Sequence, residues 1–432
     1  MRFIYTVIFY LALPFILLRL WRRSRAVPAY AERWAERFGF FEPRATSKKV
    51  IWLHTVSVGE FLAALPLIRR LQANAELQLV ITTTTPTGSE RVRAALNVAG
   101  NAGVFHVYAP YDLPDVLNRF LQRIKPVLFI SMETELWPNT LAACAKRSIP
   151  CVLINARLSE KSARGYAKLS GLTKPMLQRL SCAAIQHKAD AERFIALGLP
   201  VENAQVTGNI KFDLTIDDGL RERAALLRRE LSEHGRRLVW IAASTHQGED
   251  EIILDAFARM RATGSTQVQA SFLVLVPRHP ERFDAVAQLC EARGFRVARR
   301  ASGESTTGKD ILLGNTMGEM MLLFGASDIA FMGGSLVPNG GHNFIEPAAW
   351  QLPLLSGEHL FNFAEVARLL SAAGALRLVT NADDLAQALQ DLIDDEALRH
   401  SVGVAAAQVA RDNRGALEKT LKIIERFLTS PH

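Results

Sequence analysis

The sequence predicts an α/β protein built from two Rossmann-like halves, each a doubly wound parallel sheet flanked by helices. The chain has 432 residues, which is too long for one ordinary hydrophobic core and therefore indicates two domains. A content of 49% hydrophobic and 22% charged residues is typical of a globular protein. Strand-like and helix-like segments alternate through both halves, and this alternation favours parallel sheets.

Short apolar runs bounded by polar turns define the predicted strands, and longer amphipathic segments define the helices between them. In the first half the predicted strands are residues 50–53, 77–82, 104–107, 127–131, 151–154, 183–186 and 204–206, and the clearest helices are residues 112–123, 136–147 and 159–180. In the second half the predicted strands are residues 238–242, 272–276, 295–298, 311–313, 329–332 and 352–355. A charged helix over residues 215–235 connects the halves, and residues 384–428 are predicted to be helical throughout.

Residues 3–18 form an apolar run that only Thr6 and Pro14 interrupt, and four arginines follow between residues 19 and 25. A cleaved signal peptide carries its charge before the apolar segment, so this pattern indicates a retained membrane anchor. The run is slightly short for a full span, which leaves a single-pass anchor and an interfacial helix as alternatives. Arginine-rich flanks stay in the cytoplasm, so the body of the chain is expected there. Residues 30–40 alternate charged and aromatic residues, which predicts either a membrane-surface helix or an ordinary amphipathic one.

The 51 lysines and arginines exceed the 43 aspartates and glutamates, and the net charge of +8 favours acidic partners such as anionic lipid or a phosphorylated substrate. The basic residues are dispersed along the chain, which argues against nucleic acid as a partner. Four cysteines without paired spacing indicate reduced, buried thiols, with neither a disulfide framework nor a zinc site. No metal-binding motif is present, so neither a metal nor a cofactor is expected.

Residues 50–60 combine an apolar strand, a polar turn and the start of an amphipathic helix. Ligands of open α/β sheets bind beyond the carboxyl ends of the strands, and this turn lies at such an end. Gly59 leaves room for a substrate, and Glu60 places a carboxylate at the mouth of the expected cleft. The spacing from Ser57 to Glu60 also fits a capping box, in which Glu60 only stabilises the helix start. Both interpretations stay open on these residues.

Two more acids, Glu133 and Glu135, follow a predicted strand at the same edge of the sheet. Acids at a helix start also complement the helix dipole, so these two are either dipole partners or part of the cleft. Lys211 closes the first half and offers a cation near the junction of the halves, although a solvated lysine is the usual alternative.

The features typical of a nucleotide site lie in the second half. Pro277 and Arg278 follow a predicted strand, so Arg278 is placed over the ligand edge of the sheet, and arginine is well matched to phosphate. The alternative for Arg278 is a helix cap or an ion pair with a carboxylate such as Glu281.

Two further segments of the second half combine glycine with a helix start. Residues 317–319 open a predicted helix, with a glycine that allows close approach of a ligand, although a plain helix start is the alternative. Residues 333–346 contain four glycines between a strand and a helix that begins near Asn343. Backbone N–H groups and the helix dipole predict an anion site there. Glu346, one turn into the helix, is a candidate acceptor for ribose hydroxyls.

Taken together, these motifs resemble the 3-deoxy-D-manno-octulosonic acid (Kdo) transferases of Gram-negative lipopolysaccharide assembly. The resemblance follows the chain in order and includes the N-terminal anchor. Its matching stretches are residues 54–60, 132–139, 155–166, 208–213, 277–283, 315–319, 340–347 and 361–364.

The resemblance implies a GT-B fold, in which two Rossmann-like domains enclose a cleft. On this basis residues 1–25 are the anchor helix, residues 26–214 the acceptor-binding domain and residues 215–400 the CMP-sugar-binding domain. Residues 401–432 form a C-terminal helix that returns toward the first domain. The implied location is the inner membrane, with the catalytic domains on the cytoplasmic side and anionic lipid as a neighbour.

The implied reaction is inverting, metal-independent transfer of Kdo from CMP-Kdo to lipid IVA, a tetra-acylated, diphosphorylated disaccharide. The resemblance makes Glu60 the general base, and makes Glu133 and Lys211 residues that support the transition state. The implied CMP-binding residues are Pro277, Arg278, Met317, Gly318, Glu319, Asn343, Phe344, Ile345 and Glu346.

Two alternatives to this function remain at the level of sequence. One is another membrane-associated GT-B enzyme that uses a UDP-sugar, either a lipid-linked sugar transferase or an epimerase. The other is a membrane-tethered nucleotide-binding module without catalytic activity.

Overall fold

A computed structural model of the chain describes residues 1–25, 27–43, 45–98 and 103–429. The chain divides into two compact units, of which the first comprises Met1–Asp213 with Arg414–His432 and the second comprises Leu214–Asn413. The sequence-based boundary at residue 400 lies inside a helix that continues to Asp412. The second unit therefore ends after that helix.

The strands of the described residues are short, and most of them are buried. In chain order they are β1 (Lys49–His54), β2 (Leu77–Thr83), β3 (Val104–Tyr108), β4 (Leu128–Met132), β5 (Cys151–Ala156), β6 (Cys182–Ile185), β7 (Ala204–Val206), β8 (Val239–Thr245), β9 (Phe272–Pro277), β10 (Val297–Arg299), β11 (Ile311–Leu313), β12 (Ile329–Met332), β13 (Leu354–Ser356) and β14 (Leu376–Leu378).

Helices connect these strands and also occupy both ends of the described chain. In chain order they are α1 (Arg2–Ser24), α2 (Trp34–Arg37), α3 (Val58–Gln72), α4 (Pro86–Leu96), α5 (Pro114–Ile124), α6 (Pro138–Ala145), α7 (Glu160–Lys168), α8 (Ser170–Leu177), α9 (Lys188–Ala196), α10 (Asp218–Leu231), α11 (Glu249–Thr263), α12 (Thr266–Ala270), α13 (Phe283–Ala292), α14 (Met320–Gly325), α15 (Ile345–Ala349), α16 (Ala364–Ala372), α17 (Ala382–Asp394), α18 (Glu396–Asp412) and α19 (Ala416–Thr429). Short 3-10 helices lie at Pro28–Ala31, Val201–Asn203, Ile210–Asp213, Pro280–Arg282 and Arg300–Ser302.

The first unit contains a seven-stranded parallel sheet in the order β3-β2-β1-β4-β5-β6-β7. Successive side chains of a strand point to opposite faces, and both faces of this sheet are covered. In β1, Ile51 and Leu53 pack with apolar residues of α3 and α19, whereas Val50 and Trp52 pack with those of α5 and α6. Burial on both faces is why these strands read as continuous apolar runs in the sequence.

The second unit repeats this arrangement with the strand order β10-β11-β9-β8-β12-β13-β14. Its core includes Trp240 and Ala242 of β8 together with apolar residues of α11 and α17. The predicted α/β class, with two parallel sheets, is therefore confirmed.

In each sheet the order of the strands reverses beside the first strand of the unit. β1 lies between β2 and β4, and β8 lies between β9 and β12. Doubly wound sheets bind ligands at this switch point, beyond the carboxyl ends of the strands. The turns that follow β1, β4, β8 and β12 are therefore where functional side chains are expected.

Several predicted elements differ in extent from the observed ones. β14 was not predicted because Arg377 and Leu378 are exposed and the strand lacks a continuous apolar run. The segment predicted as one helix over residues 159–180 is divided into α7 and α8 at Leu169, where φ is −113° and ψ is 37°. The C-terminal helical segment is three helices, with a break at Asp395 and another after Asn413.

The predicted helix over residues 30–40 is wrong in most of its length, since only the four-residue α2 forms within it. Arg33 has a positive φ of 57°, which stops a helix from extending through it. Its guanidinium donates to Ser89, and Arg37 is buried and donates to the backbone oxygen of Thr84. These inward contacts replace the regular amphipathic pattern.

The N-terminal helix α1 is long and apolar enough to cross a membrane, with a mean hydropathy of 2.1. None of its residues is buried within the protein. Phe3, Leu11 and Phe15 are among its most exposed side chains, at 80%, 69% and 74% exposure. One side of α1 is therefore an apolar surface without a protein partner among the described residues.

The opposite side of α1 contacts the first unit near the start of α6. The Tyr5 hydroxyl donates to the carboxylate of Asp112 over 2.9 Å, and the Asn139 side-chain amide donates to the Thr6 hydroxyl over 2.9 Å. Asp112 is almost fully buried and also accepts the backbone N–H groups of Asn139 and Thr140. The helix is therefore docked on the residues that begin α6.

Candidate active site

Glu60 lies in the first turn of α3, beyond the carboxyl end of β1. Its backbone N–H donates to Ser57 Oγ over 3.2 Å, and the Ser57 hydroxyl donates back to Glu60 Oε1 over 3.1 Å. The Val56 N–H donates to the other carboxylate oxygen over 2.8 Å. The capping interaction is therefore present, and it holds the carboxylate in place while leaving each oxygen a further lone pair for a substrate.

The surroundings of Glu60 disfavour its charged form. Burial raises the pKa of Glu60 to about 7, with repulsion from the carboxylates of Glu135 and Glu133 acting in the same direction and hydrogen bonds from Val56 and Ser57 opposing it. A general base works best when its pKa lies near the operating pH. Glu60 therefore combines a fixed position with a basicity suited to taking a proton from a hydroxyl group.

Glu133 lies directly beyond β4, the strand next to β1, and its side chain bridges two cations. Its Oε1 accepts from Lys211 Nζ over 3.1 Å and its Oε2 accepts from Arg157 Nε over 2.9 Å. Glu133 has a positive φ of 51°, which is uncommon for a residue other than glycine and is often found at functional sites. The three side chains carry a net positive charge beside Glu60.

Asn155 explains how Lys211 reaches Glu133. The Asn155 side-chain oxygen accepts the backbone N–H of Ile210 over 3.1 Å, which fixes the 3-10 helix that carries Lys211. The register between β5 and β6 shifts between Leu153 and Ala156. Such an irregularity redirects the side chains that follow it, and Arg157 comes directly afterwards.

Glu135 is the third acid of this site. The Trp137 indole N–H donates to Glu135 Oε2 over 2.9 Å, and burial together with the charge of Glu133 raises the pKa of Glu135. The Trp137 ring packs edge-on against His54, the last residue of β1, with 4.7 Å between ring centroids. The charge of Glu135 also contributes to a raised pKa of Tyr166, after the larger effect of burial. Glu135 is therefore held rigidly between the ends of β1 and β4.

In the second unit Arg278 lies directly beyond β9, which ends at Pro277. Its backbone N–H donates to the Thr245 oxygen over 3.0 Å, while its side chain is exposed and makes no ion pair with any residue that the structure describes. The alternative ion pair of Arg278 with Glu281 is not formed, and the Glu281 carboxylate lies 4.0 Å from His279 Nδ1. Arg278 therefore offers a positive charge at the ligand edge of the sheet.

The residues from Asn343 to Glu346 divide between packing and polar roles. Phe344 and Ile345 are buried in the core. The Asn343 side chain donates to Glu346 Oε1 over 3.0 Å, and burial raises the pKa of Glu346 against the opposing effects of Asn343 and Arg278. The helix that begins here, α15, has only five residues, so the dipole predicted to bind an anion at Asn343 is weak.

The segment from Met317 to Glu319 precedes α14. Met317 is 67% exposed, and Gly318 has a φ of 84°, a left-handed conformation that favours glycine. Glu319 is the residue before α14, and its carboxylate accepts from the Arg300 guanidinium over 3.0 Å and from the Thr316 hydroxyl over 2.5 Å. The hydrogen bond from Arg300 is the main cause of a lowered pKa of Glu319.

The glycine-rich loop after β12 is organised by a carboxylate of the chain itself. Glu249 is fully buried in the first turn of α11. Its oxygens accept the backbone N–H groups of His246, Gly334, Ser335 and Leu336 at distances of 2.6 to 2.9 Å. The N–H groups at the start of this loop therefore bind an internal carboxylate rather than a ligand, which leaves the later part of the loop for ligand contacts.

Two polar residues at these strand ends, Arg157 and His246, are not singled out by the sequence, and a third, Glu135, is left there as either a dipole partner or part of the cleft. Each follows a strand that lies at or beside a switch point, namely β4, β5 and β8. The sheet order, which pattern analysis of the strands does not provide, is the signal that would have found them.

Two doubly wound parallel sheets, each with polar residues gathered at its switch point, define the GT-B fold class. Solved structures with the same fold include a glycosyltransferase from Rickettsia africae, with a TM-score of 0.60 and 12% identity over 89% of this chain and 100% of that one. They also include Anabaena HepE in complex with UDP, with a TM-score of 0.59 and 16% identity over 88% of this chain and 100% of that one. At 12% and 16% sequence identity, these similarities show a shared fold and not a shared activity.

The chain belongs to the 3-deoxy-D-manno-octulosonic acid (Kdo) transferase family. The family model described as 3-Deoxy-D-manno-octulosonic-acid transferase (kdotransferase) matches residues 32–214. The chain is 42% identical over 431 residues to the Kdo transferase of Haemophilus influenzae, with 99% of both chains covered. It is 35% identical over 435 residues to that of Bordetella pertussis, again with 99% of both covered. This similarity favours the Kdo transferase over the UDP-sugar enzyme and the non-catalytic module, and places the protein in lipopolysaccharide biosynthesis.

Proposed function

We propose that this enzyme transfers Kdo from CMP-Kdo to lipid IVA by an inverting, metal-independent displacement in which Glu60 is the general base. The observation that carries the proposal is the state of Glu60, a capped carboxylate at the switch point of the first sheet with a pKa of about 7. An acceptor hydroxyl becomes a competent nucleophile only when a positioned base takes its proton.

The proposed step is a single displacement at the anomeric carbon of Kdo. The acceptor hydroxyl oxygen forms a bond to this carbon, its proton passes to the Glu60 carboxylate, and the bond from the carbon to the CMP phosphate oxygen breaks. CMP leaves with the bonding electrons. One displacement inverts the configuration, and it requires one base and no covalent intermediate on the enzyme.

Lys211 and Arg157 supply positive charge to the reacting groups in this proposal. Donor and leaving group are anionic, and fixed cations stabilise negative charge that develops in a transition state. Glu133 contacts both cations, at 3.1 Å and 2.9 Å, and acts as the residue that positions them. Its own negative charge also contributes to the basicity of Glu60.

The second unit binds CMP in this proposal. Arg278, exposed and without an ion pair among the described residues, contacts the phosphate. Asn343 and Glu346, which are hydrogen-bonded to each other, face the nucleoside, and the left-handed turn at Gly318 lets the backbone approach it closely. The remaining CMP-binding residues, Pro277, Met317, Glu319, Phe344 and Ile345, contribute backbone and packing contacts.

The membrane-facing part of the proposal places the enzyme on the cytoplasmic side of the inner membrane, beside anionic lipid. A doubly phosphorylated, acylated acceptor fits both the net charge of +8 and the apolar surface of α1.

We further propose that α1 lies in the membrane interface instead of crossing it. Tyr5 and Thr6 contact the first unit near one end of α1, and Arg23 stacks over the ring of Tyr30 at the other end.

Cysteine labelling distinguishes an interfacial α1 from a spanning one. All four native cysteines are buried, so a cysteine placed at Arg2 or at Ser24 provides a single reactive thiol. In inside-out membrane vesicles an impermeant maleimide should label both the Arg2→Cys and the Ser24→Cys protein. Labelling at Ser24→Cys alone would mean that the helix crosses the membrane.

The reaction itself is tested with purified full-length enzyme, CMP-Kdo and lipid IVA in detergent. The expected result is release of CMP together with a lipid product heavier by whole Kdo residues, with equal rates in the presence and absence of EDTA. Loss of activity in EDTA that magnesium restores would contradict metal independence. CMP release without a change in lipid mass would contradict lipid IVA as the acceptor.

A further inference from the structure

Three histidines gather at the switch point of the second sheet. His246 directly follows β8, His279 lies beyond β9, and His342 belongs to the loop after β12. His246 Nε2 and His342 Nε2 are 2.8 Å apart, and their rings are nearly parallel, with an angle of 7° between the planes. The ring of His279 stands edge-on to that of His246, with 5.3 Å between centroids.

The loop after β12 is built to accommodate this histidine pair. Gly334 has a φ of 68°, and a Cβ atom there would lie 2.9 Å from His342 Nε2 and 3.4 Å from His246 Cδ2. Neither the backbone conformation nor the available space suits a side chain. Glu249 fixes the same loop through the backbone N–H groups of Gly334 and His246. The short contact between the two imidazoles is therefore part of a rigid arrangement.

A distance of 2.8 Å between two Nε2 atoms requires one hydrogen between them, because one imidazole must donate and the other accept. The pair can then carry either no charge or one positive charge. Two positive charges would place two N–H groups against each other. His246 and His342 therefore act as one site for a single additional proton.

The pH at which the pair binds that proton depends on the charged and titratable groups that face it. Burial lowers the pKa of His342 to about 4, assisted by the charge of Arg278 and by the neighbouring histidines. Burial also lowers the pKa of His246, with Arg278, Arg282 and His279 acting in the same direction and Glu249 opposing. The pair is consequently neutral at neutral pH in the free protein, and an anion bound at Arg278 would favour its protonation.

We propose that His246 and His342 belong to the donor site and take up one proton when the phosphate of the nucleotide binds beside Arg278. The proton comes from solvent and is held on an imidazole nitrogen of the pair, which gives the phosphate a second cation. This inference rests on the proposed CMP-binding function of the second unit. By linkage, nucleotide affinity falls as pH rises through the pKa that the pair has in the complex.

Calorimetry on the full-length enzyme measures this proton directly. The probe is the methyl phosphodiester of CMP, whose phosphate keeps one negative charge and does not itself titrate near neutral pH. Binding heats measured at one pH in buffers of different ionisation enthalpy give the number of protons taken up. We expect up to about one proton, and an affinity that falls by up to roughly tenfold per pH unit where the pair in the complex titrates.

Variants assign the proton to the pair. His246→Gln and His342→Gln should each bind the ester more weakly, without proton uptake and with an affinity that no longer depends on pH. His400→Gln, which changes an exposed histidine on α18, is the matched control and should behave as wild type. Proton uptake that persists in both site variants would assign it to other groups and overturn the inference.

The wild-type measurement decides the matter even if the site variants fail to fold. Binding of the ester without proton uptake by the wild-type enzyme overturns the role of the pair while leaving the proposed function intact. If the ester does not bind, the inference also falls, and the assay for Kdo transfer then shows separately whether the proposed function falls with it.

Discussion

Glu60 has two possible roles that a single substitution separates. Glutamine accepts the Val56 N–H as glutamate does, so Glu60→Gln should preserve the helix start of α3. Glutamine cannot take a proton from a hydroxyl group, so kcat should fall by roughly 10²–10⁴-fold while CMP affinity stays unchanged. Glu192→Gln, an exposed position on α9, is the control. A Glu60→Gln enzyme within about threefold of wild type, far below the range for general-base catalysis, would remove Glu60 from the mechanism.

The pKa of Glu60 also predicts how rate and stability depend on pH. The base acts when it is deprotonated, so kcat/KM should rise with pH and level off above about 7. Its pKa is raised from 4.5 by folding, so the folded state binds the proton more tightly and Glu60 lowers stability as pH rises between these values. Glu60→Gln removes this buried charge. Its Tm should therefore equal that of wild type at pH 5 and match or exceed it at pH 8.

Arg278 is predicted to account for part of the affinity for CMP. A hydrogen bond to a charged group contributes roughly 1.5–3 kcal/mol, so Arg278→Ala should weaken CMP binding about tenfold to a hundredfold. Association with lipid vesicles should not change. Arg236→Ala, an exposed arginine in the same unit, provides the control in calorimetric titrations. Equal CMP affinity in wild type and Arg278→Ala would place the phosphate elsewhere.

At the scale of elements, the buried strands were the most predictable part of the fold. A strand covered on both faces is a continuous apolar run, and the predicted positions of β11 and β12 coincide with the observed ones. The exposed edge strand β14 has no such pattern. The extent of helices was less predictable, because breaks such as that at Leu169 depend on packing rather than on apolar periodicity.

The sequence predicted individual residues of the candidate site from the strand or helix beside them, but it did not predict which residues contact each other. Glu60 and Glu133 follow apolar strands and were found in this way. The contacts of Glu133 with Arg157 and Lys211 join residues that are 24 and 78 positions apart in the chain. The contact of His246 with His342 spans 96 positions. Such pairings follow from sheet order and loop conformation, which composition and periodicity do not encode.

The loop after β12 depends on one buried carboxylate, which leads to a prediction about this element. In Glu249→Gln an amide NH₂ replaces one oxygen and faces backbone N–H donors, so at least one of these groups loses its acceptor. Each unsatisfied group costs roughly 1–3 kcal/mol, which corresponds to a fall in Tm of roughly 2–12 °C for a unit of this size. CMP affinity should fall as well, because the loop carries His342 and Asn343. Glu251→Gln, exposed on the same helix, should change neither quantity, and a Glu249→Gln protein with the Tm of wild type would contradict this role.

At the scale of the whole molecule, a polar contact ties the two ends of the first unit together. The Asp213 carboxylate accepts the backbone N–H groups of Gly415 and Leu417 over 2.5 and 2.7 Å. Asp213 is the last residue of the unit before the chain enters the second one, and α19 begins just after the chain returns. This contact could not be predicted from the sequence, because the entire second unit separates Asp213 from Gly415 and Leu417 in the chain.

Attachment to the membrane is also a property of the whole molecule, and removal of residues 1–25 tests it. Asp112 loses the Tyr5 hydroxyl but keeps the backbone N–H groups of Asn139 and Thr140, so the truncated enzyme should fold and bind CMP. An apolar side chain such as Phe3 contributes roughly 1.5–3 kcal/mol when buried, so the loss of several should weaken sedimentation with anionic vesicles well over tenfold.

Tyr5→Phe is the matched control for this truncation. It removes only the hydrogen bond to Asp112, so it should retain vesicle binding. If the truncated protein aggregates without a cooperative melting transition while Tyr5→Phe melts as wild type does, α1 is required for the fold through its packing. The interpretation of α1 as a membrane attachment would then be wrong, because a helix that serves only for attachment can be removed without loss of the native state.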